Sequence, residues 1–473
     1  MTSPSTRSSA KGRRANLPPG VLSALRRAIP ADELALDLET RRLHAGDKWL
    51  ASVVPDGVVL ARSQQTVSSL MRWATRHGVA VTPRGAGYGY VGGCVPVAGG
   101  IVVSLARMNR IKEVHTKDFV AVVEPGVLTK ELQDAVIRER MYYPPDPASR
   151  ADCSIGGNIT TNAGGPSCLK YGVTREYVLG LDVVLADGSL AKVGGRPHKN
   201  KTGFDLTRLF VGSEGMLGIV TEAILKLLPL PPYKACLSAG FAQPAQASRG
   251  IEAILRAGFL PSAIEVADGF TLKALRQRTG SRLFDGCEAH LLVELDGQRN
   301  SVRREIRDVA GIVETLGPLF LKRALGADSC EAFWKLRREF SYALRDTGLT
   351  KLNEDIVVPR GRLVDLFAYA EVLQKRHGFP VACFGHAGDG NIHVNVMVDM
   401  TKPGARGRSE AVLDELFKQV LSWDGAITGE HGIGLAKKRW WPRAASSVVR
   451  RMHQSVKNAL DPMGLLNPGK FVD

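Results

Sequence analysis

Glycine clusters crowded into the stretch 142–191 restrict what this 473-residue chain can fold into more than any other feature. The stretch holds Gly156-Gly157, Gly164-Gly165 and Gly172 among small polar residues. An apolar segment follows and ends in the turn Ala186-Asp187-Gly188. Lacking Cβ atoms, such residues let backbone N–H groups come close to a ligand. Successive turns of this kind make concavities that accept anions. The reading is a buried, backbone-lined groove for a pyrophosphate-bearing cofactor.

The length calls for two or three domains rather than one core. No window reaches the apolar run of about 18 residues that a membrane-crossing helix needs. The first twenty residues carry Arg7, Lys11, Arg13 and Arg14 and no acid. No apolar segment follows them, so a secretory signal is not indicated and a disordered basic tail over 1–20 is expected. Seven cysteines are scattered without a C-x-x-C, which argues against an iron–sulfur cluster and a disulfide framework. A reducing cytoplasm fits, with peripheral association at the inner membrane face an option for so basic a surface. The balance of 63 basic against 47 acidic residues gives +16, but the cations are spread along the chain. No nucleic-acid module accompanies them, so a surface that draws in anionic substrates is the expectation, and no nucleic-acid partner.

Helix is expected over 21–43 and 66–77, where Val67, Leu70, Met71 and Ala74 have amphipathic spacing. Strands are expected at 79–82, 101–105, 119–124 and 178–186. Pro229-Leu230-Pro231-Pro232 reads as a linker, which places a first domain at 21–229 and a second at 230–473. The second alternates helices near 245–258, 266–278, 301–315, 329–345, 361–377, 406–422 and 442–460 with strands near 289–295, 351–358, 380–385 and 391–398. That pattern implies an α+β domain with mainly antiparallel strands.

The segment 83–93, PRGAGYGYVGG, fails as a dinucleotide fingerprint because Tyr90 stands where its third glycine belongs. It nonetheless shares its composition with 154–165 and with 212–227, and all three lie in one half of the chain. Chemistry concentrates in CFGHAGDGNIHVNV (383–396) and GEHGIG (429–434). The first reads as a hairpin that sets His386 and His393 diagonally across from one another. Two histidines alone read as core residues. With Glu430 in a glycine-flanked turn they read as a His₂Glu site for zinc, or for manganese or iron, with open positions. A regular strand would point Glu430 and His431 to opposite faces, and the glycines around them permit a bend that brings both to one pocket.

These motifs, above all Lys201 to Leu206, Gly212-Ser213-Glu214-Gly215 and Gly218-Ile219-Val220-Thr221, resemble the FAD-dependent D-2-hydroxyacid dehydrogenase family, which includes D-lactate dehydrogenase, D-2-hydroxyglutarate dehydrogenase and the glycolate oxidase large subunit. That family sits within the vanillyl-alcohol oxidase/PCMH-type flavoproteins. The resemblance covers about residues 45–473. It implies a PCMH-type FAD-binding domain followed by an α+β substrate, or cap, domain with an antiparallel sheet, whose C-terminal helical segment returns to the first domain. It assigns FAD to Pro83, Arg84, Gly85, Ala86, Gly87, Tyr88, Gly89, Pro147, Ser154, Ile155, Gly156, Gly157, Asn158, Asn162, Ala163, Gly164, Gly165, Gly172, Val173, Glu214, Gly218 and Ile219. Ser154 and Asn158 would add side-chain hydrogen bonds. Members usually carry Thr or Ser where Tyr88 stands, and Tyr90 and Val91 depart as well. No histidine lies in the loop to bond the flavin covalently, so dissociable FAD is expected.

The resemblance also makes His386, His393 and Glu430 metal ligands, His431 the catalytic base and Asn391 a polar residue of the same site. Arg337 and Lys351 would take the substrate carboxylate, with Ser341 a turn along and Lys470 approaching. Arg337 and Arg338 remain alternatives for that role. The expected reaction is metal-assisted oxidation of a small anionic D-2-hydroxy acid (lactate, glycolate or 2-hydroxyglutarate) to the 2-oxo acid, with hydride passing to flavin N5. The electron acceptor would be an electron-transfer flavoprotein, a cytochrome or a quinone, and a homodimer is compatible. The alternatives are an alcohol or sugar oxidase or an alkyl-ether-lipid synthase on the same scaffold, and a non-enzymatic subunit of a larger complex.

Overall fold

The structure, a computed structural model, describes residues 17–472. Most of the expected basic tail therefore lies outside the described residues, while Pro19 and Gly20 already belong to the first helix, Pro19–Ala28. The continuous helix expected over 21–43 is interrupted. Pro30 cannot extend it, a short strand Leu34–Ala35 intervenes, and a second helix, Leu38–Leu43, starts on an Asp37 cap.

The first half contains two larger sheets. A four-stranded sheet runs in the order Leu34–Ala35, Gly57–Leu60, Ile101–Ser104, Val81–Arg84, its last three strands parallel. Helix Gln64–His77, capped by Ser63, buries Val67, Leu70, Met71 and Ala74 against it. A five-stranded antiparallel sheet follows, ordered Ile111–His115, Val120–Val123, Ile219–Lys226, Val178–Val184, Leu190–Gly194. Among the described residues no helix is long and apolar enough to cross a membrane.

The second half is built on a seven-stranded antiparallel sheet. Its order is Phe320–Leu325, Tyr233–Phe241, Ala289–Gly297, Ala263–Asp268, Val381–His386, Asn391–Val398, Thr350–Val357. Three of these strands were not expected, and Ala263–Asp268 takes the start of the helix expected at 266–278, which runs Gly269–Thr279 instead. Asp268 ends the strand and caps that helix, accepting the N–H of Thr271. The last expected helix, 442–460, is two: Trp441–Ala444 and Ser447–Leu460.

Alternation along the strands divides the sheet. Ile264, Val266, Cys383, Ile392, Val394 and Ile356 join the main core with helices such as Pro244–Arg256, Leu363–His377 and Ala405–Ser422. Their neighbours Glu265, His386, Asn391, His393 and Asp355 therefore face the other side, where Ala382, Phe384 and Met397 pack with Gly269–Thr279 and Ala327–Arg345. Each inward Ile or Val contributes about 1.5–3 kcal/mol by burial. That fixes the register, since a one-residue slip would turn every polar side chain into the core.

Candidate active site

His386 stands opposite Asn391 on one neighbouring strand and opposite Glu265 on the other, and His393 stands opposite Phe384 and Asp355. The two histidines are thus diagonal partners, with ring centroids 5.5 Å apart. Glu430 closes the group: its carboxylate oxygens lie 3.8 Å from His386 Nε2 and 3.6 Å from His393 Nε2. One ligand atom from each of the three residues falls within 4.8 Å of the others. His431 joins them, its Nε2 3.7 Å from Glu430 and its ring stacked on His393 at 5.7 Å.

The turn that delivers Glu430 and His431 is wound around one carboxylate. Asp355 Oδ2 accepts the N–H groups of Gly429 at 2.9 Å and of Glu430 and His431 at 3.0 Å, together with the Thr428 hydroxyl at 2.8 Å. Three successive N–H groups aimed at one oxygen bend the chain so that neighbouring side chains reach one pocket. Asp355 is fully buried, and Lys437 lies 3.8 Å from it. Burial opposes its charge, but His431 and Lys437 hold its carboxyl well below the usual range. The far side of the turn is anchored by Glu214, which accepts Ile433 N–H at 2.7 Å and Gly434 N–H at 2.9 Å.

Glu265 performs the second buried organising task. It accepts from Arg337 Nε at 2.5 Å and lies 2.6 Å from His386 Nδ1. The pairing fixes His386 with Nε2 toward the cluster, the arrangement that metal-binding histidines use. Burial works against charge on both residues, yet Arg337 and His386 bring Glu265 down to about 2, and the two carboxylates raise His386 well above its ordinary value. Burial lowers His393 to about 3, keeping it neutral, and its Nδ1 is buried without a partner. Two imidazoles and a carboxylate with converging lone pairs fit a divalent cation.

Arg337 lies over the rings of Phe340 and Phe384, whereas Arg338 is exposed and pairs with Glu331. Of the two, Arg337 faces the cluster. Lys351 donates to Ser341 Oγ at 2.8 Å, and burial, with Arg345 and Arg337 nearby, lowers it to about 8. Asn391, expected as a polar residue of the same site, stands opposite His386 and is tied to Asp355. Its amide donates to Asp355 at 2.7 Å and to the Ile356 carbonyl at 2.9 Å, so it braces the carboxylate behind the turn. Asn395, two residues along the same face as His393, has its buried Oδ1 without a partner. Lys470 is buried and donates to the Val95 carbonyl.

The three glycine-rich segments meet in space. A Cβ on Gly85 would lie 2.5 Å from Ser154 Oγ, which itself accepts Ala86 N–H at 3.2 Å and Gly157 N–H at 3.3 Å. Gly215 abuts Pro83, and Gly212 abuts Asn162. Backbone so closely drawn together makes the groove the composition implied, and its wall reaches the cluster: a Cβ on Gly164 would sit 3.5 Å from Glu430 Oε2. Several side chains expected on the cofactor are engaged elsewhere. Asn158 donates to Thr129 at 2.6 Å, and Arg84 is turned onto the Gly46 carbonyl and the Cys94 thiol. Glu214 anchors the 429–434 turn, as above. Asn162 Oδ1 accepts Arg175 N–H, Ile155 and Ile219 are core residues, and Gly218 abuts Val183. Pro147 forms a turn with Arg150, and Gly172 and Val173 lead into the short helix Thr174–Tyr177. What the first half offers a ligand is therefore mainly backbone.

Residues 55–194 match the family of FAD binding domains, and residues 230–471 match that of the FAD linked oxidases, C-terminal domain. The chain belongs to the FAD-linked oxidase family. It is accordingly an oxidoreductase that uses FAD, with a PCMH-type FAD-binding domain and a C-terminal domain on an antiparallel sheet. It is similar to glycolate oxidase subunit GlcD of Bacillus subtilis, 36% identical over 88% of this chain and 89% of that one. It is also similar to D-lactate dehydrogenase of Anaerostipes hadrus, at 32% over 88% and 89%. The solved structure of p-cresol methylhydroxylase superposes with a TM-score of 0.77 at 19% identity, over 96% of each chain, a likeness of fold.

Proposed function

We propose that this FAD-linked oxidase oxidises a D-2-hydroxy acid to its 2-oxo acid. One observation carries the reading: the Glu430 carboxylate gathers three imidazoles within 3.8 Å and lies against Gly164 of the glycine-rich groove. The names of the glycolate and lactate relatives support the same substrate class. FAD bound in the groove supplies the hydride acceptor, and a divalent cation, zinc by preference, held by His386, His393 and Glu430 supplies Lewis-acid polarisation. Lys351 and Arg337 hold the substrate carboxylate and fix which face of C2 is presented. His431 accepts the hydroxyl proton at Nε2, while Asp355, 3.8 Å from its Nδ1, orients the ring and favours the imidazolium that results. An electron-transfer flavoprotein, a cytochrome or a quinone would serve as the electron acceptor.

The test is anaerobic mixing with D- and L-lactate, glycolate and D-2-hydroxyglutarate while the visible flavin band is followed, with and without a chelator. Bleaching by a D-acid that the chelator prevents is the expected result. A yellow protein that no hydroxy acid bleaches sinks the reading.

A further inference from the structure

One wall of the cluster carries cations from the helix Ala327–Arg345 and the strand Thr350–Val357. Arg337 is paired with Glu265, whose side chain is only 1% exposed, while Lys351 donates to Ser341 and has no carboxylate partner. The opposite wall is aromatic and comes from the glycine loop of the first half. The ring of Tyr90 packs on His431 with centroids 5.3 Å apart and planes tilted by 38°. Tyr88 stands beside it, fixed from two sides: Lys48 Nζ lies 4.5 Å over its ring, and its phenol faces Asp152. Tyr342, on the helix that carries Arg337 and Ser341, lies near Tyr88 with Arg278 and Arg345 over its ring, and is 52% exposed. Tyr88 and Tyr90 are half-buried, so each keeps surface open to a ligand. Nothing in the proton transfer or the carboxylate contact uses these rings.

We propose that Tyr88, Tyr90 and Tyr342 form a selectivity rim that favours 2-hydroxy acids with an aryl or bulky apolar side chain. This rests on the hydroxy-acid reading. A substrate with its carboxylate at Lys351 and its hydroxyl at His431 Nε2 projects its side chain past His431 onto Tyr90. The hydrogen of glycolate or the methyl of lactate leaves that ring wet. An aryl group covers it and gains an offset or edge-on ring contact.

The experiment is anaerobic flavin reduction of the FAD-loaded protein by D-3-phenyllactate, D-lactate, glycolate and D-2-hydroxyglutarate. The expected kcat/KM for D-3-phenyllactate exceeds that for D-lactate by roughly tenfold or more, the scale on which apolar pockets discriminate. Tyr90→Ala brings the ratio to within a few-fold, chiefly through KM for the aryl acid, and Tyr90→Phe keeps the preference. Lactate, glycolate or 2-hydroxyglutarate matching the aryl acid overturns the rim, as does an unchanged ratio in FAD-replete Tyr90→Ala. If Tyr90→Ala loads no flavin, the wild-type panel and Tyr90→Phe still decide. Reduction by no acid at all defeats the parent reading instead, and the rim falls with it.

Discussion

Asp355 accepts the backbone N–H of His431 at 3.0 Å, and the same oxygen lies 3.8 Å from that residue's Nδ1. One carboxylate thus builds the turn and aims the ring. Asp355→Asn leaves Lys437 buried opposite a neutral group and weakens four contacts to one oxygen. The loss expected for breaking a buried charged network is about 3–5 kcal/mol. Chemical denaturation of the variant should show a lower midpoint, and flavin reduction should slow beyond any loss of bound flavin.

His431→Ala removes the proposed proton acceptor without touching the glycine groove. The variant is expected to stay yellow while flavin reduction falls by roughly 10²–10⁴-fold. Stopped-flow absorbance of the flavin band measures it, and a reduction rate equal to wild type would remove His431 from the role.

Glu265→Gln takes away the charge that fixes the His386 tautomer and holds Arg337. Partners of this kind change metal affinity by roughly 10–100-fold. Titration of the chelator-treated variant with zinc should show weaker binding, accompanied by a higher KM.

Lys351 gives the alkaline limb. Burial lowers it to about 8, so the folded protein loses this cation as pH rises through that value. KM for a carboxylate substrate should rise there, and Lys351→Met should raise KM throughout and flatten the limb. Stability moves the opposite way. The unfolded chain still binds the proton up to about 10.4, so unfolding becomes less favourable between the two values. Weaker substrate binding above pH 8 should therefore come without a fall in Tm from this group.

The residues of the cluster were legible because they sit in local patterns. The alternation of 391–398 marks His393 as facing away from Ile392 and Val394, and the glycines around Glu430-His431 permit a bend. The two carboxylates that organise the site carry no such mark. Asp355 acts on residues 73 to 76 positions further along, and Glu265 on residues 72 and 121 away, so Asp355 reads locally as one of several polar residues in Thr350–Val357 and Glu265 as a lone acid among Ala263, Ile264, Val266 and Ala267. Missed strands have the same origin. Phe320–Leu325 has the composition of a helix, and Tyr233–Phe241 is rich in small residues, yet pairing on both edges makes the latter a central strand. The tie of the Asn391 amide to Asp355, a partner 36 positions away, is likewise beyond any local pattern.

The Glu214 contact to Ile433 and Gly434 bears on how such a protein diversifies. The groove half contributes the peg, and the sheet half contributes the loop that hangs on it. A substrate half transplanted from a distant oxidase would carry its reactive turn but meet no peg of matching reach. New specificities on this scaffold are then more readily gained by replacing side chains at the mouth, such as Tyr90, than by exchanging whole halves.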